Sequence, residues 1–100
     1  MLKAYDDRDG HIWMDGNLVP WRNANVHILT HALHYGSSVF EGERAYNGKI
    51  FKSREHSERL IKSGNYIDVP VPYSVDEIEE AKNLVLNNSG LKEAYIRAVC

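Results

Sequence analysis

Cysteine is nearly absent from this sequence, and this limits both its disulfide chemistry and its expected compartment. The single cysteine, Cys100, has no partner for a disulfide within the chain, which fits a reducing environment. The N-terminal segment MLKAYDDRDG is polar and acidic, so we do not expect a secretory signal peptide. No apolar run approaches the roughly 20 residues that a membrane-spanning helix needs. Together these features predict a cytoplasmic protein.

An excess of basic charge is also lacking. The formal net charge is −2, and the lysines and arginines are scattered along the chain, so no basic track for nucleic acid is expected. With 100 residues, 43% of them hydrophobic and 26% charged, the chain is sufficient for one small globular domain. Residues 93–100 have the pattern of an apolar strand with no turn signal after it. We therefore expect residues 1–100 to be a fragment of a longer protein.

Two short turn motifs predict β-hairpins. Asp15-Gly16 separates candidate strands at 11–14 and 17–21, and Asn47-Gly48 separates candidate strands at 43–46 and 49–51. Both dipeptides suit two-residue turns, which need positive φ angles. A further strand is predicted after Gly90.

Two helices are predicted between the second hairpin and the last strand. Ser53 is a candidate N-cap for a helix over 54–65, in which Arg59 borders the apolar stripe. Ser74 and Glu77 form a capping-box pattern that opens the second helix, and its acidic first turns at 76–80 are expected to be solvated. Because strands and helices are grouped, the sequence predicts an α+β fold, a mostly antiparallel sheet with two helices packed against it.

The most unusual stretch is HALHYGSSVFEGER, residues 31–44, which has neither helical nor strand periodicity throughout. One interpretation is a connection in which Val39 and Phe40 fill the core. The other is a ligand-facing turn, with Tyr35 and Phe40 as apolar walls and Arg44 as an anion anchor.

Other candidate chemistry in the chain is weaker. His27, His31 and His34 have helical spacing, but no acidic residue or cysteine completes a metal-binding pattern, so no metal site is expected. Glu41 and Glu43 are not expected to act as an acid–base pair either, because we interpret the segment as extended, with the two carboxylates on opposite sides.

Tyr95 and Arg97 are two residues apart in the last predicted strand and therefore share a face. A phenol beside a guanidinium is suited to binding a carboxylate. The alternative is an aromatic and an arginine on a solvated sheet surface.

Four segments in this order, HALHYGSSVFEGER, AYNGKIF, FKSREHSERL and AYIR, resemble the start of a branched-chain amino-acid aminotransferase, a fold-type IV enzyme that uses pyridoxal 5'-phosphate (PLP). The resemblance runs from about residue 13 to residue 100. It implies that residues 1–100 are the N-terminal small α+β domain of a homodimeric or larger enzyme. The implied reaction is amino transfer between leucine, isoleucine or valine and 2-oxoglutarate.

The resemblance also implies roles for individual residues. Arg59 matches an arginine that binds the cofactor phosphate, and Tyr35 a tyrosine that reaches the neighbouring subunit's pocket. The remaining matched positions line the substrate pocket: Phe40, Gly42, Arg44, Tyr95 and Arg97. Arg97 matches a residue that binds chiefly the distal carboxylate of glutamate. We expect Arg59, Tyr95 and Arg97 to share one cleft.

The chain departs from the family pattern in two ways. Ala98 stands where the family usually has proline, and the Schiff-base lysine of the resembled family lies beyond residue 100, so residues 1–100 alone are expected to be inactive. Two alternatives stay open. One is another fold-type IV enzyme: a D-amino-acid aminotransferase, an aminodeoxychorismate lyase or an amine transaminase. The other is a non-catalytic binding or dimerisation module.

Overall fold

The first hairpin comes at the start of the chain. In the computed structural model, which describes residues 2–100, β1 (His11–Met14) pairs antiparallel with β2 (Asn17–Pro20). Asp15 and Gly16 have φ angles of 49° and 100°, as a primed two-residue turn requires. The second strand ends one residue earlier than predicted, because residues 21–23 form a 3₁₀ turn.

A three-stranded antiparallel sheet forms the centre of the structure. It contains β3 (Phe40–Tyr46), β4 (Lys49–Ile50) and β5 (Ala94–Val99) in the order β4-β3-β5. The predicted Asn47-Gly48 turn joins β3 to β4, and both residues have positive φ. The antiparallel pairing of β3 with both neighbours, together with the helices, confirms the α+β prediction.

Three helices complete the fold: α1 (His31–Tyr35), α2 (Ser53–Tyr66) and α3 (Val75–Ser89). The predicted capping box of α3 is present, since Ser74 Oγ accepts from the Glu77 amide at 3.1 Å and Glu77 Oε1 accepts from the Ser74 amide at 3.2 Å. None of these helices is long and apolar enough to cross a membrane, a finding that covers residues 2–100.

The predicted N-cap of α2 is wrong. Lys52, with a φ of 56°, precedes the helix and Ser53 is its first residue. The Ser53 hydroxyl donates instead to Glu79 on α3, at 3.0 Å. A tertiary hydrogen bond has therefore replaced the local cap.

The alternation along β3 decides which side chains face the helices. Its odd-numbered residues from 41 to 45 are buried, whereas its even-numbered residues are exposed. Ala45 packs with Leu86 and Ile96 in the core, but Phe40 is 56% exposed. Phe40 therefore does not fill the core, and the first interpretation of residues 31–44 is wrong for this residue.

Candidate functional site

The sheet surface that faces away from the helices brings five of the predicted site residues together. Phe40, Gly42 and Arg44 lie at alternate positions of β3, and the antiparallel register places Gly42 opposite Arg97 and Arg44 opposite Tyr95. Directly opposed residues in antiparallel strands share a face. We call this surface, formed by Phe40, Gly42, Arg44, Tyr95 and Arg97, the open face.

Arg97 is held on the open face by two aromatic side chains. Its Nε and Nη2 donate to the Tyr95 hydroxyl at 3.2 and 2.9 Å, and its guanidinium carbon lies 4.4 Å from the centroid of the Phe40 ring. Within residues 2–100, neither Arg97 nor Arg44 forms a salt bridge. The open face thus combines exposed aromatic surface with cations that form no ion pair with any carboxylate of residues 2–100.

Gly42 allows Tyr95 to lie across β3. A Cβ atom at position 42 would lie 2.5 Å from the Tyr95 hydroxyl oxygen and about 3 Å from two ring carbons. Any larger residue would therefore displace the tyrosine that holds Arg97. Ala98, which stands where the resembled family usually has proline, does not interrupt the strand that carries this pair, because β5 continues through Ala98 to Val99.

Tyr35 does not belong to the strands that form the open face. It ends α1, is 73% exposed, and its ring contacts His31 and His34, with centroids 4.7 and 6.2 Å away. His34 also forms a 2.6 Å hydrogen bond to the Ile28 carbonyl through Nε2, and His27 accepts from the Leu29 amide at 3.0 Å.

Arg59, predicted to bind a phosphate, is paired with a buried carboxylate. From α2 its Nε and Nη2 donate to Glu41 at 2.9 and 2.7 Å. The pKa of Glu41 is lowered, first by the hydrogen bond from Arg59, and this exceeds the opposing effect of burial. His56 adds a second contact through Nδ1 at 2.6 Å. The Arg59 pKa is raised in turn by Glu41.

Within residues 2–100, Arg59 pairs with Glu41 whereas Arg97 pairs with Tyr95, so the shared cleft of Arg59, Tyr95 and Arg97 stays a prediction. Glu41, which binds Arg59, points toward the helices, on the other side of the sheet from Tyr95 and Arg97. The cavity beside Arg59, of about 350 Å³, is lined by Lys52, Glu55, His56 and Arg59. Glu55 and His56 lie four and three positions before Arg59 and so share one face of α2, and Lys52 directly precedes this helix.

A buried ionic cluster, which the sequence analysis missed, joins the sheet to both long helices. Lys82 Nζ lies 2.8 Å from Glu43 and 2.9 Å from Glu79, and it donates to the Ser53 carbonyl at 2.8 Å. Ser57 donates to Glu79 at 2.5 Å. Lys82 is 5% exposed and Glu43 2%. The sequence signal for this cluster is the position of Lys82, one helical turn after the buried Ile78 and therefore on the same side of α3.

This cluster corrects two predictions. Glu41 and Glu43 share the buried face, because strand residues two apart point the same way. The acidic first turns of α3 are not wholly solvated, since Glu79 belongs to the cluster. Burial alone would raise the Glu79 pKa, but hydrogen bonds from Ser57, Lys82 and Ser53 lower it overall.

The structure therefore defines an α+β domain in which one sheet face is covered by helices and ion pairs and the residues of the other face are exposed. The family model described as "Amino-transferase class IV" matches residues 38–100. The chain belongs to the class IV aminotransferases.

Relatives share this segment at high identity. The chain is 60% identical over 87 residues to a protein of Rickettsia felis named "Probable branched-chain-amino-acid aminotransferase". It is 50% identical over 95 residues to the branched-chain-amino-acid aminotransferase of Pseudomonas aeruginosa. These matches cover 87% and 91% of this chain but only 30% and 31% of the relatives.

Solved structures of branched-chain aminotransferases also resemble this chain. The branched-chain amino acid aminotransferase of Escherichia coli superposes with a TM-score of 0.87 at 44% identity, over 92% of this chain and 32% of that one. The branched-chain aminotransferase of the archaeon Thermoproteus uzoniensis, solved with norvaline, has a TM-score of 0.86 at 38% identity, over 92% of this chain and 33% of that one.

Proposed function

We propose that the full-length protein is a PLP-dependent branched-chain-amino-acid aminotransferase. It would transfer the amino group of leucine, isoleucine or valine to 2-oxoglutarate. Residues 1–100 would be its N-terminal small domain, since the chain spans about a third of the relatives it matches. The names of those relatives support the reaction class.

The open face is the observation that carries the proposal. An enzyme that accepts both leucine and glutamate needs apolar surface and a cation in one pocket. Phe40 and Tyr95 supply aromatic area, whose burial against an aliphatic side chain is worth about 25 cal/mol per Å². Arg97 supplies a guanidinium, which pairs with a carboxylate in two parallel hydrogen bonds.

Within this pocket we assign Arg97 to the distal carboxylate of glutamate, with the Tyr95 hydroxyl as its partner. Gly42 keeps Tyr95 in position, and Arg44, opposite Tyr95, lines the same face. When an aliphatic substrate binds, the flexible stem of Arg97 allows its charged end to turn toward water.

Arg59 fits the phosphate of PLP by the chemistry of its donors. Nε and Nη2 bind Glu41, while Nη1 makes no hydrogen bond within residues 2–100 and the side chain is 64% exposed. The related structures described as a PLP form and as a pyridoxamine 5'-phosphate complex support this cofactor. When bound, PLP supplies the electron sink that stabilises negative charge on the substrate.

Tyr35 is proposed to contact the pocket of a second subunit, so the enzyme would be at least a homodimer. Its ring is 73% exposed at the end of α1. The cytoplasmic location stays a prediction from the sequence.

The proposal is tested by adding amino acids to the full-length holoenzyme and following the PLP absorbance band. We expect L-leucine and L-glutamate to bleach the band and D-alanine to leave it unchanged. If D-alanine shifts the band and L-leucine does not, the enzyme is a different class IV aminotransferase.

A further inference from the structure

We infer that Glu41 is a positioning residue that fixes the guanidinium of Arg59 in the orientation that receives the cofactor phosphate. This inference rests on the proposed function, because it takes PLP as the ligand of Arg59. It adds a role for a carboxylate that the sequence analysis assigned to no site.

The two edges of the Arg59 guanidinium have different partners. Glu41 takes the edge formed by Nε and Nη2, through contacts of 2.9 and 2.7 Å. Arginine has five N–H donors in a fixed plane, so Nη1 and the second hydrogen of Nη2 remain for another acceptor. That second edge points away from Glu41, and two donors in one plane match two oxygens of a phosphate.

Glu41 is itself rigidly placed, which makes it a suitable anchor. It is 5% exposed in the middle strand of the sheet, and its backbone is in register with Ala98 of β5. His56 contacts the same carboxylate through Nδ1 at 2.6 Å. The Arg59 side chain, in contrast, is long and 64% exposed, and without Glu41 it would sample many rotamers.

Positioning explains the arrangement better than attraction does. The cavity beside Arg59 contains Lys52 and His56 but also Glu55, which lies 3.6 Å from Lys52. Glu41 adds another negative charge next to Arg59. A carboxylate in contact with the arginine lowers its net attraction for a phosphate, so its favourable contribution must come from ordering the guanidinium before the ligand arrives.

The test measures cofactor affinity without catalysis. Full-length apoenzyme is titrated with PLP and with pyridoxal, which lacks the phosphate, and protein fluorescence reports binding. In Glu41→Gln we expect the Kd for PLP to rise about tenfold, or about 1.4 kcal/mol, and the Kd for pyridoxal to change less than twofold. Glu58→Gln is the matched control, because Glu58 also pairs with an arginine of α2, Arg54, at 3.6 Å, and it should change neither Kd.

Arg59→Ala separates this inference from the proposed function. We expect it to weaken PLP binding, and adding Glu41→Gln to it should have no further effect, because the arginine that Glu41 orients is gone. If Arg59→Ala weakens PLP binding but Glu41→Gln does not, the positioning role is wrong and the phosphate contact stands. If Arg59→Ala leaves PLP binding unchanged, the phosphate contact fails and the inference fails with it.

A merely structural role of Glu41 would weaken PLP and pyridoxal equally, and that result would also overturn the inference. If Glu41→Gln does not fold, Glu41→Asp takes its place, since it keeps the charge and shortens the side chain. It should again weaken PLP more than pyridoxal, and equal losses would count against the inference.

Discussion

The two faces of the sheet formed by β3 and β5 carry charges in different ways. On the face toward the helices, Glu41 and Glu43 are each bound by a cation, Arg59 and Lys82 respectively. On the open face, Arg97 contacts aromatic rings and a hydroxyl, and no salt bridge within residues 2–100 includes it. Charged side chains on the two faces of one sheet thus meet opposite environments.

The difference follows from the cost of burying charge. A carboxylate removed from water needs a cation or hydrogen bonds, because otherwise its desolvation is not offset. An exposed arginine has no such need, because water hydrates its charge. We therefore expect residues on the helix-facing side to control stability and residues of the open face to control substrate choice.

The largest expected effect comes from Lys82→Met. It leaves Glu43 and Glu79 without their shared cation in a buried site, and breaking a buried pair costs about 3–5 kcal/mol. Urea denaturation of the full-length protein measures the change. Lys62→Met is the control, because Lys62 is exposed on α2 and its loss should change the free energy of unfolding by less than about 0.5 kcal/mol. Similar effects of the two substitutions would contradict the role of the cluster.

Arg97→Ala should affect catalysis and not stability. A hydrogen bond to a charged group contributes about 1.5–3 kcal/mol, so kcat/KM for glutamate should fall about 10- to 100-fold. The value for leucine should fall much less, because its side chain has no carboxylate. Steady-state kinetics with both substrates give the ratio, and equal losses would remove Arg97 from its assigned role.

Much of the fold follows from local sequence signals, whereas the ion pairs do not. Asp15-Gly16, Asn47-Gly48 and the Ser74 capping box depend on neighbouring residues, and all three formed as predicted. The pairs of Glu41 with Arg59 and of Glu43 with Lys82 join residues 18 and 39 positions apart. No local pattern specifies such partners.

The part of the candidate site that depends on local sequence was also predictable. Tyr95 and Arg97 share a face because the period of a strand is two, and the structure confirms their contact. The position of Arg59 relative to that pair depends on how α2 packs on the sheet. This packing is tertiary and no local pattern specifies it, so the shared cleft stays a prediction.

Gly42→Ala should have a smaller effect on the open face. The new Cβ would meet Tyr95, and relieving such a contact costs on the order of 1–2 kcal/mol, so kcat/KM for glutamate should fall about tenfold. The backbone of Gly42 does not have a positive φ angle, so the substitution should not strain it.

Removal of the Tyr95 hydroxyl tests this mechanism. In a Tyr95→Phe background the nearest clashing atom is gone, so Gly42→Ala should cost less than in the unmodified enzyme. An equal cost in both backgrounds would show that Tyr95 is not the residue displaced.

The smallest expected effect is a loss of stability in acid. Glu41 and Glu79 have pKa values lowered below the ordinary 4.5, so the folded state binds their protons more weakly than the unfolded state does. Their contribution is complete above about pH 4.5 and is lost as the pH falls through the lowered values. Urea denaturation across this range should show the loss.

Variants of the two faces sharpen this pH test. Glu41→Gln should flatten the dependence on pH, whereas Arg97→Ala should leave it unchanged, because the open face contributes no carboxylate. An equal slope in all three proteins would contradict the assignment of acid sensitivity to the helix-facing side.

The most direct measurement is the position of glutamate in a crystal structure of the full-length enzyme. Its distal carboxylate should lie about 2.7–3.0 Å from the Arg97 guanidinium on the open face, beside the Tyr95 hydroxyl. A carboxylate more than about 6 Å from Arg97, beyond direct hydrogen-bond reach, or one bound in the cavity next to Arg59, would contradict the assignment of the open face as the substrate surface.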